Sequence, residues 1–256
     1  MMEKVLEVKD LCKTYVVNKR QINVLKNMNF FIEKGEMVAV MGPSGSGKST
    51  LLYTASGMDK MTAGSVYFAG TDIRGLSARA LAALRLDEMG FVFQQMYMLK
   101  NLTVFDNIVL PAFQSRKNTA SKKEKIEKGE ALMKKMGIIE IADNDIEEAS
   151  GGQLQRACIC RSLINNPQMV FADEPTGALN RSASEEVMEQ FVQINQEGTT
   201  IMLVTHDIRV AAKCSRVMYL VDGTLKGECR LGKCEKADGT RERERTLTSW
   251  LTELGW

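Results

Sequence analysis

Apolar residues along this chain follow three patterns, and each predicts a different kind of element. Short unbroken runs, Met37-Val38-Ala39-Val40-Met41, Gly90-Phe91-Val92-Phe93, Met169-Val170-Phe171-Ala172 and Thr200-Ile201-Met202-Leu203-Val204, read as buried strands, and Ser65-Val66-Tyr67-Phe68 as another short strand. Val5-Leu6-Glu7-Val8-Lys9 alternates as a half-buried strand does, and Met28, Phe30 and Ile32 repeat that pattern before Gly35. An antiparallel, twisted layer is therefore expected ahead of the first buried run. Helical spacing is the third pattern. It marks residues 78–85 and, from Tyr97 to Asn165, replaces the strand runs altogether, as an inserted helical subdomain would. Asp222-Gly223, between Val217-Met218-Tyr219-Leu220 and Thr224-Leu225, predicts a tight hairpin. Leu247, Trp250, Leu251 and Leu254 fall at i, i+3, i+4 and i+7, which marks a short amphipathic helix before Trp256, packed on its own domain or against a partner. The expected fold is α/β: a mixed, mainly parallel sheet with an N-terminal antiparallel β layer and an inserted helical subdomain. Residues 1–95 and 166–230 form the core, 96–165 the helical part and 231–256 a tail.

The chemistry lies at the ends of these runs. Gly42-Pro43-Ser44-Gly45-Ser46-Gly47-Lys48-Ser49-Thr50 follows the strand 37–41 and leads into a helical stretch from Leu51, so a G-x-x-x-x-G-K-[ST] loop has both its strand and its helix. Its glycines let successive backbone N–H groups turn towards one point, and the helix N-terminus adds partial positive charge. Lys48 then reaches the β- and γ-phosphates of ATP, and the Ser49 hydroxyl ligates Mg²⁺. A glycine-rich turn that binds nothing is the alternative, and the Lys-Ser pair directly after the last glycine argues against it. Ser150-Gly151-Gly152-Gln153 opens a second helix with a hydroxyl and two permissive N–H groups, another anion cradle. One ATP does not need two cradles in one chain, so the second is expected to serve the ATP held by another copy. Asp173 and Glu174 end the run 169–172; the first is suited to hold Mg²⁺ through water and the second to polarise the attacking water. Gln94 ends the run 90–93 and is a candidate for Mg²⁺ or the attacking water, or simply terminates a strand. His206, the sole histidine, follows the run 200–204, where it suits contact with the γ-phosphate. Tyr15 either stacks on the adenine or is a half-exposed strand tyrosine.

Composition narrows the picture without changing it. The 256 residues suit a core with a subdomain and are too few for two nucleotide-binding units. Thirty-four Lys and Arg against 32 Asp and Glu leave a charge of +2, no footprint for nucleic acid. Arg116, Lys117, Lys122, Lys123, Lys125 and Lys128, broken by Glu124 and Glu127, form a basic stretch: a solvated helix face with a Glu124–Lys128 pair, or a lipid headgroup contact. The N-terminus lacks a signal region and no apolar run approaches the roughly 20 residues of a spanning helix, so a soluble, cytoplasmic chain is expected. Cys12, Cys158, Cys160, Cys214, Cys229 and Cys234 show no C-x-x-C spacing, which favours reduced thiols over a zinc site built from Cys158, Cys160, Cys229 and Cys234.

Taken in order, the loop 42–49, Gln94, Ser150-Gly151-Gly152-Gln153, Asp173-Glu174 and His206 make nearly the whole chain resemble the ATP-binding subunit of an ABC transporter. The resemblance implies an ATPase using ATP and Mg²⁺, with Glu174, His206, Lys48 and Gln94 catalytic. It implies nucleotide contacts from Tyr15, residues 42–50, Gln94 and residues 150–153, and metal contacts from Ser49, Gln94 and Asp173. It also implies a head-to-tail homodimer sandwiching two ATP, an integral membrane permease as partner, and a place on the cytoplasmic face of the membrane. Gly90-Phe91-Val92-Phe93-Gln94, Leu102-Thr103-Val104, Asn107-Ile108-Val109-Leu110-Pro111 and Asp173-Glu174-Pro175-Thr176-Gly177 are similar to the subgroup of lipoprotein-release, macrolide-export and bacitracin-type peptide-resistance ATPases. Ala178-Leu179-Asn180 and the ending Gly255-Trp256 most resemble the bacitracin-type branch, whose permease often works with a sensor kinase. Two departures stand out: Ala149 replaces the usual leucine before the Ser-Gly-Gly, and Asn180 replaces the usual aspartate after Walker B. The first is expected to be a mild packing change. The second removes a charge near the dimer interface and bears on communication between the two sites.

Overall fold

The computed structural model describes residues 3–234 and 240–256. Met1, Met2 and residues 235–239, which include part of the expected tail, lie outside the described residues. Two sheets form the framework. The first is antiparallel, in the order β2-β1-β4-β5, from β1 (Lys4–Val17), β2 (Arg20–Glu33), β4 (Ala63–Phe68) and β5 (Thr71–Asp72). The second, six-stranded sheet runs β10-β9-β3-β8-β7-β6, from β3 (Met37–Met41), β6 (Met89–Phe93), β7 (Met169–Asp173), β8 (Thr200–Val204), β9 (Arg216–Val221) and β10 (Thr224–Arg230). β6, β7, β8, β3 and β9 pair in parallel and only β10 is antiparallel, the mixed, mainly parallel arrangement expected.

β1 and β2 are far longer than the alternation at 5–9 and 28–32 indicates. They pair from Lys4↔Glu33 to Val17↔Arg20, but the register shifts at several points between Val8 and Thr14. Each shift turns the next side chains to the opposite face and erases the period of two. The hairpin closes through Asn18 and Lys19, both at positive φ, as the two-residue turn that matches strand twist requires.

The unbroken apolar runs exist because both faces of the large sheet are covered. Met37, Ala39 and Met41 of β3 point into a core shared with helices α3 (Val104–Gln114), α5 (Gly151–Leu163), α6 (Arg181–Gln196) and α8 (Thr240–Glu253). Val38 and Val40 point into the other core, closed by the antiparallel sheet and by α1 (Lys48–Ala55). α2 (Ala78–Glu88) leads into β6, and α4 (Lys122–Lys135) packs on α3 and α5. α4 corrects one expectation. Glu124 does not pair with Lys128; its carboxylate accepts from the Ser121 N–H at 2.7 Å in a capping box, and Lys128 donates to Asn166. The i,i+4 pair on that face is Lys123–Glu127. Most of the other lysines here are also engaged, Lys117 by Glu88 and Lys125 over the Phe113 ring. α8 is longer than the predicted stretch and docks on its own domain: Leu247 and Leu251 are fully buried, and Trp250 lies edge-on to Tyr219.

One charged group sits inside this framework. Arg216, 1% exposed at the start of β9, donates to Glu36 at 2.7 and 2.9 Å, to Glu228 at 3.0 Å and to the Phe31 carbonyl at 2.5 Å. It ties β9, β10 and the turn between β2 and β3 together.

Candidate functional site

The strand ends decide where the chemistry can meet. Val40 is level with Val204, Val204 with Asp173, and Asp173 with Phe93, so residues 42–49, Gln94, Glu174 and His206 all leave the sheet along its carboxyl edge. The loop 42–47 passes so close to β9 that a Cβ on Gly42 would lie 2.0 Å from the Leu220 carbonyl oxygen. Gly47 begins α1 at φ +102°, a left-handed conformation costly for any other residue. Inside the loop the Ser46 hydroxyl is buried with no hydrogen-bond partner, an orphan that an anion oxygen in the loop would satisfy. Lys48 is folded over the same loop, its Nζ donating to the Gly42 and Pro43 carbonyls at 2.9 Å each. Burial pushes this ammonium's pKa down, and the nearby charges of Glu174 and Asp173 oppose the shift.

Asp173 is the meeting point. Ser49 Oγ donates to its Oδ1 at 2.8 Å and Tyr53 Oη to its Oδ2 at 2.5 Å. The oxygen-only donor set of Ser49 and Asp173 suits a hard cation such as Mg²⁺. Glu174 follows at φ +46°, a strained conformation for a non-glycine residue of the kind that concentrates at active sites. The residue is held there by its N–H donating to Val204 O at 3.1 Å and its carbonyl accepting from Gly177 at 3.0 Å. Its carboxylate meets His206 Nδ1 at 2.9 Å. Gln94 lies against the turn that follows Glu174, where a Cβ on Gly177 would sit 3.0 Å from Gln94 Nε2.

Ser150 and its neighbours are elsewhere. Ser150 caps α5 in a reciprocal box with Gln153, its Oγ accepting from Gln153 N at 3.3 Å and its N–H donating to Gln153 Oε1 at 2.9 Å. With Gly151 and Gly152 it lines a pocket shared with Leu179, Asn180 and Arg156, and no residue of 42–49 contributes to that pocket. Asn180 caps α6, accepting from Ala183 N at 2.9 Å. Asparagine and aspartate are equally good caps, so the departure at this position preserves local structure while removing the charge.

Tyr15 sits on β1 next to the loop, within reach of Thr50. Its hydroxyl donates to Asp59 at 2.5 Å, Lys13 Nζ lies 4.5 Å above its ring, and Lys13 also pairs with Asp59 at 2.7 Å. Burial and the Asp59 carboxylate both push the phenol pKa up, and the tyrosine remains about one-third exposed.

No motif singles out Tyr53. Its spacing of four from Ser49 places both hydroxyls on one face of α1, which is the signal that could have found it. Burial, then the Asp173 hydrogen bond, drives its pKa up. Replacing Tyr53 by phenylalanine removes a hydrogen bond to a carboxylate, and the nucleotide-free protein is expected to lose about 1.5–3 kcal/mol in urea unfolding; an unchanged midpoint would show that Ser49 alone holds Asp173. Three of the six thiols, Cys158, Cys160 and Cys214, are buried away from this site. Burial pushes Cys158 up to about 11 and Cys160 up to about 12, which keeps them protonated and unreactive.

The family model described as ABC transporter matches residues 25–177. Among curated proteins, the chain is 39% identical over 250 residues to the macrolide export ATP-binding/permease protein of Shigella flexneri and 38% identical over 250 residues to that of Escherichia coli K12. It is 40% identical over 230 residues to that of Bradyrhizobium diazoefficiens. The Shigella alignment covers 97% of this chain and 38% of the relative, the Escherichia one the same shares, and the Bradyrhizobium one 90% and 35%. The chain thus spans less than two-fifths of the length of these relatives. Among solved structures it is similar to the dimeric ATP-binding cassette MJ0796 in a post-hydrolysis state bound to ADP and Pi, with a TM-score of 0.83 and 37% identity over 90% of this chain and all of that one. A second dimeric structure of MJ0796 gives a TM-score of 0.83 at 38% identity with the same coverage.

Proposed function

Since the chain belongs to the ABC transporter family, we propose that it is the ATP-hydrolysing engine of a membrane permease, working as a homodimer in which two copies enclose two ATP. One observation carries this reading. The loop 42–49, Asp173, Glu174 and His206 converge at one edge of the sheet, whereas Ser150-Gly151-Gly152 line a separate pocket. A nucleotide in the loop is completed by the Ser150 cradle of a second chain.

Each residue has a task that follows from its place. The backbone N–H groups of residues 42–49 and the Lys48 ammonium hold the β- and γ-phosphates, and Tyr15 supports the base. Ser49 and Asp173, with Gln94, hold Mg²⁺, which when bound neutralises charge on the β- and γ-phosphates. Glu174 accepts a proton from the attacking water, and its contact with His206 supports a role for the imidazole beside the γ-phosphate. Mixing two inactive variants tests the shared site. Lys48→Ala and Ser150→Arg homodimers should each be nearly inactive, but the mixed dimer places both lesions in one site and leaves the other intact. Phosphate release should therefore reappear on mixing; no recovery at any ratio would mean that each chain is complete by itself.

The permease reading is supported by an apolar groove of about 340 Å³ beside Gln94, lined by Met58, Phe91, Phe93, Tyr97 and Pro111, with Tyr97 63% exposed. Among the described residues no helix is long and apolar enough to cross a membrane. Family membership supports a permease that supplies the span, with this domain at its cytoplasmic face. For the cargo, the residues 178–180 and the Gly255-Trp256 ending favour a bacitracin-type peptide-resistance system, with a sensor kinase reached through the permease. The relatives named for macrolide export favour macrolide or lipoprotein transport as the second reading. A permease-like partner that regulates the cell wall without transport is a third. Capturing tagged protein from native membranes with ATP and Mg²⁺ and identifying the permease separates them.

A further inference from the structure

His206 is followed by a helix too short to hold itself in place. α7 spans only Ile208–Ala211, about one turn, and isolated helices of fewer than about 12 residues are marginal in water. Its direction has to be imposed from outside, and α8 grips its C-terminal end and lies beside its N-terminal end. At the C-terminal end, Arg243 Nε donates to Ala212 O at 2.6 Å and Nη2 to Cys214 O at 2.6 Å, satisfying carbonyls that close the turn after α7. The same guanidinium reaches Leu231 O at 2.9 Å and Gly232 O at 3.0 Å beyond β10. At the N-terminal end, Glu244 shares a cleft with Arg209 and Asp207. Arg209 holds both oxygens of Asp207, at 3.2 Å from Nε and 2.7 Å from Nη2, while Asp207 Oδ1 caps α7 by accepting from Arg209 N at 2.8 Å. Leu247 and Leu251 of α8 are also buried in the same core as Val210 and Ala211. Asp207 is covalently next to His206, whose Nδ1 stands 2.9 Å from Glu174.

We propose that α8, through Arg243 and Glu244, sets the position of His206 against Glu174, making the C-terminal helix a positioning element of the hydrolytic site as well as a cover for the core. The inference rests on the reading of His206 as a γ-phosphate contact. Arg243 and Glu244 touch neither nucleotide nor the Glu174 carboxylate, and they act only through α7.

His206 is the chain's single histidine, so an imidazole ¹H–¹³C correlation spectrum of the full chain reports this one side chain. In Arg243→Met the His206 signal should move by more than its linewidth or split, and kcat should fall by about 10- to 100-fold, the order expected when a reacting group is misplaced by about 1 Å, with ATP affinity kept within about twofold. Arg243→Lys, which keeps the charge but not the fork of donors, should restore part of both. Met133→Ala, a buried truncation in α4, destabilises the domain elsewhere and should leave the His206 signal in place. An unmoved signal in folded Arg243→Met, or a loss confined to ATP affinity, overturns the proposal. If Arg243→Met does not fold, Glu244→Lys is read by the same criteria, and an unmoved signal there overturns it equally. Wild-type turnover in His206→Ala would instead remove the functional reading of His206, a result separable from the spectrum.

Discussion

Replacing Glu174 by glutamine is expected to lower steady-state ATP hydrolysis by about 10²- to 10⁴-fold, the range a general base contributes, while ATP binding stays nearly unchanged. The amide has almost the shape of the carboxylate and can still receive a hydrogen bond from His206, so the strained backbone at Glu174, fixed by Val204 and Gly177, has no reason to relax. What disappears is the ability to take a proton from water. With ATP and Mg²⁺ the variant should then accumulate as a stable dimer, because closure over nucleotide is intact and the step that reopens it is not. Phosphate release and light scattering on the same sample check both halves. A variant that hydrolyses ATP normally as a monomer would sink the assignment of Glu174 and the shared site together.

Arg216→Ala should cost about 3 kcal/mol of folding stability, at the lower end of the roughly 3–5 kcal/mol lost when one partner of a buried ion pair is removed. The lower end is chosen because Glu228 is 34% exposed and can rehydrate, whereas Glu36, at 12%, cannot do so readily. The Phe31 carbonyl also loses its donor. For a domain of this size the melting temperature should drop by about 6–12 °C. Arg216→Met, which keeps much of the side-chain volume, should lose nearly as much if the unpaired Glu36 is the cause, and much less if lost packing dominates. Thermal and urea unfolding of the two variants decide between these causes.

Much of the site could be read in advance because its chemistry depends on neighbours in sequence. A phosphate cradle needs consecutive backbone N–H groups, so Gly42 to Ser49 must be contiguous. Strand-end placement of Gln94, Asp173, Glu174 and His206 follows from apolar runs that stop at a polar residue, and the parallel registers bring those stops level. Residues that act across the fold leave no such trace. Tyr53 becomes a partner of Asp173 only when α1 lies against β7, 120 positions away in the chain. Lys13 and Asp59 fix Tyr15 because a strand and a loop 46 positions apart meet. In sequence Arg243 is one charge within Arg241-Glu242-Arg243-Glu244-Arg245, and only the fold sets the carbonyls of Ala212 and Cys214 beneath it.

By itself, then, the sequence determined the strand runs, the two glycine-containing helix starts at Gly47 and Ser150 and the identity of the catalytic candidates, since backbone conformation, helix capping and buried-strand hydrophobicity are local properties. Only the tertiary structure decided which cradle faces which acid, how the bulged hairpin carries Tyr15 to the loop, and which helix steadies His206. Those depend on side chains meeting at distances that no local pattern encodes, in a core whose close packing admits few arrangements.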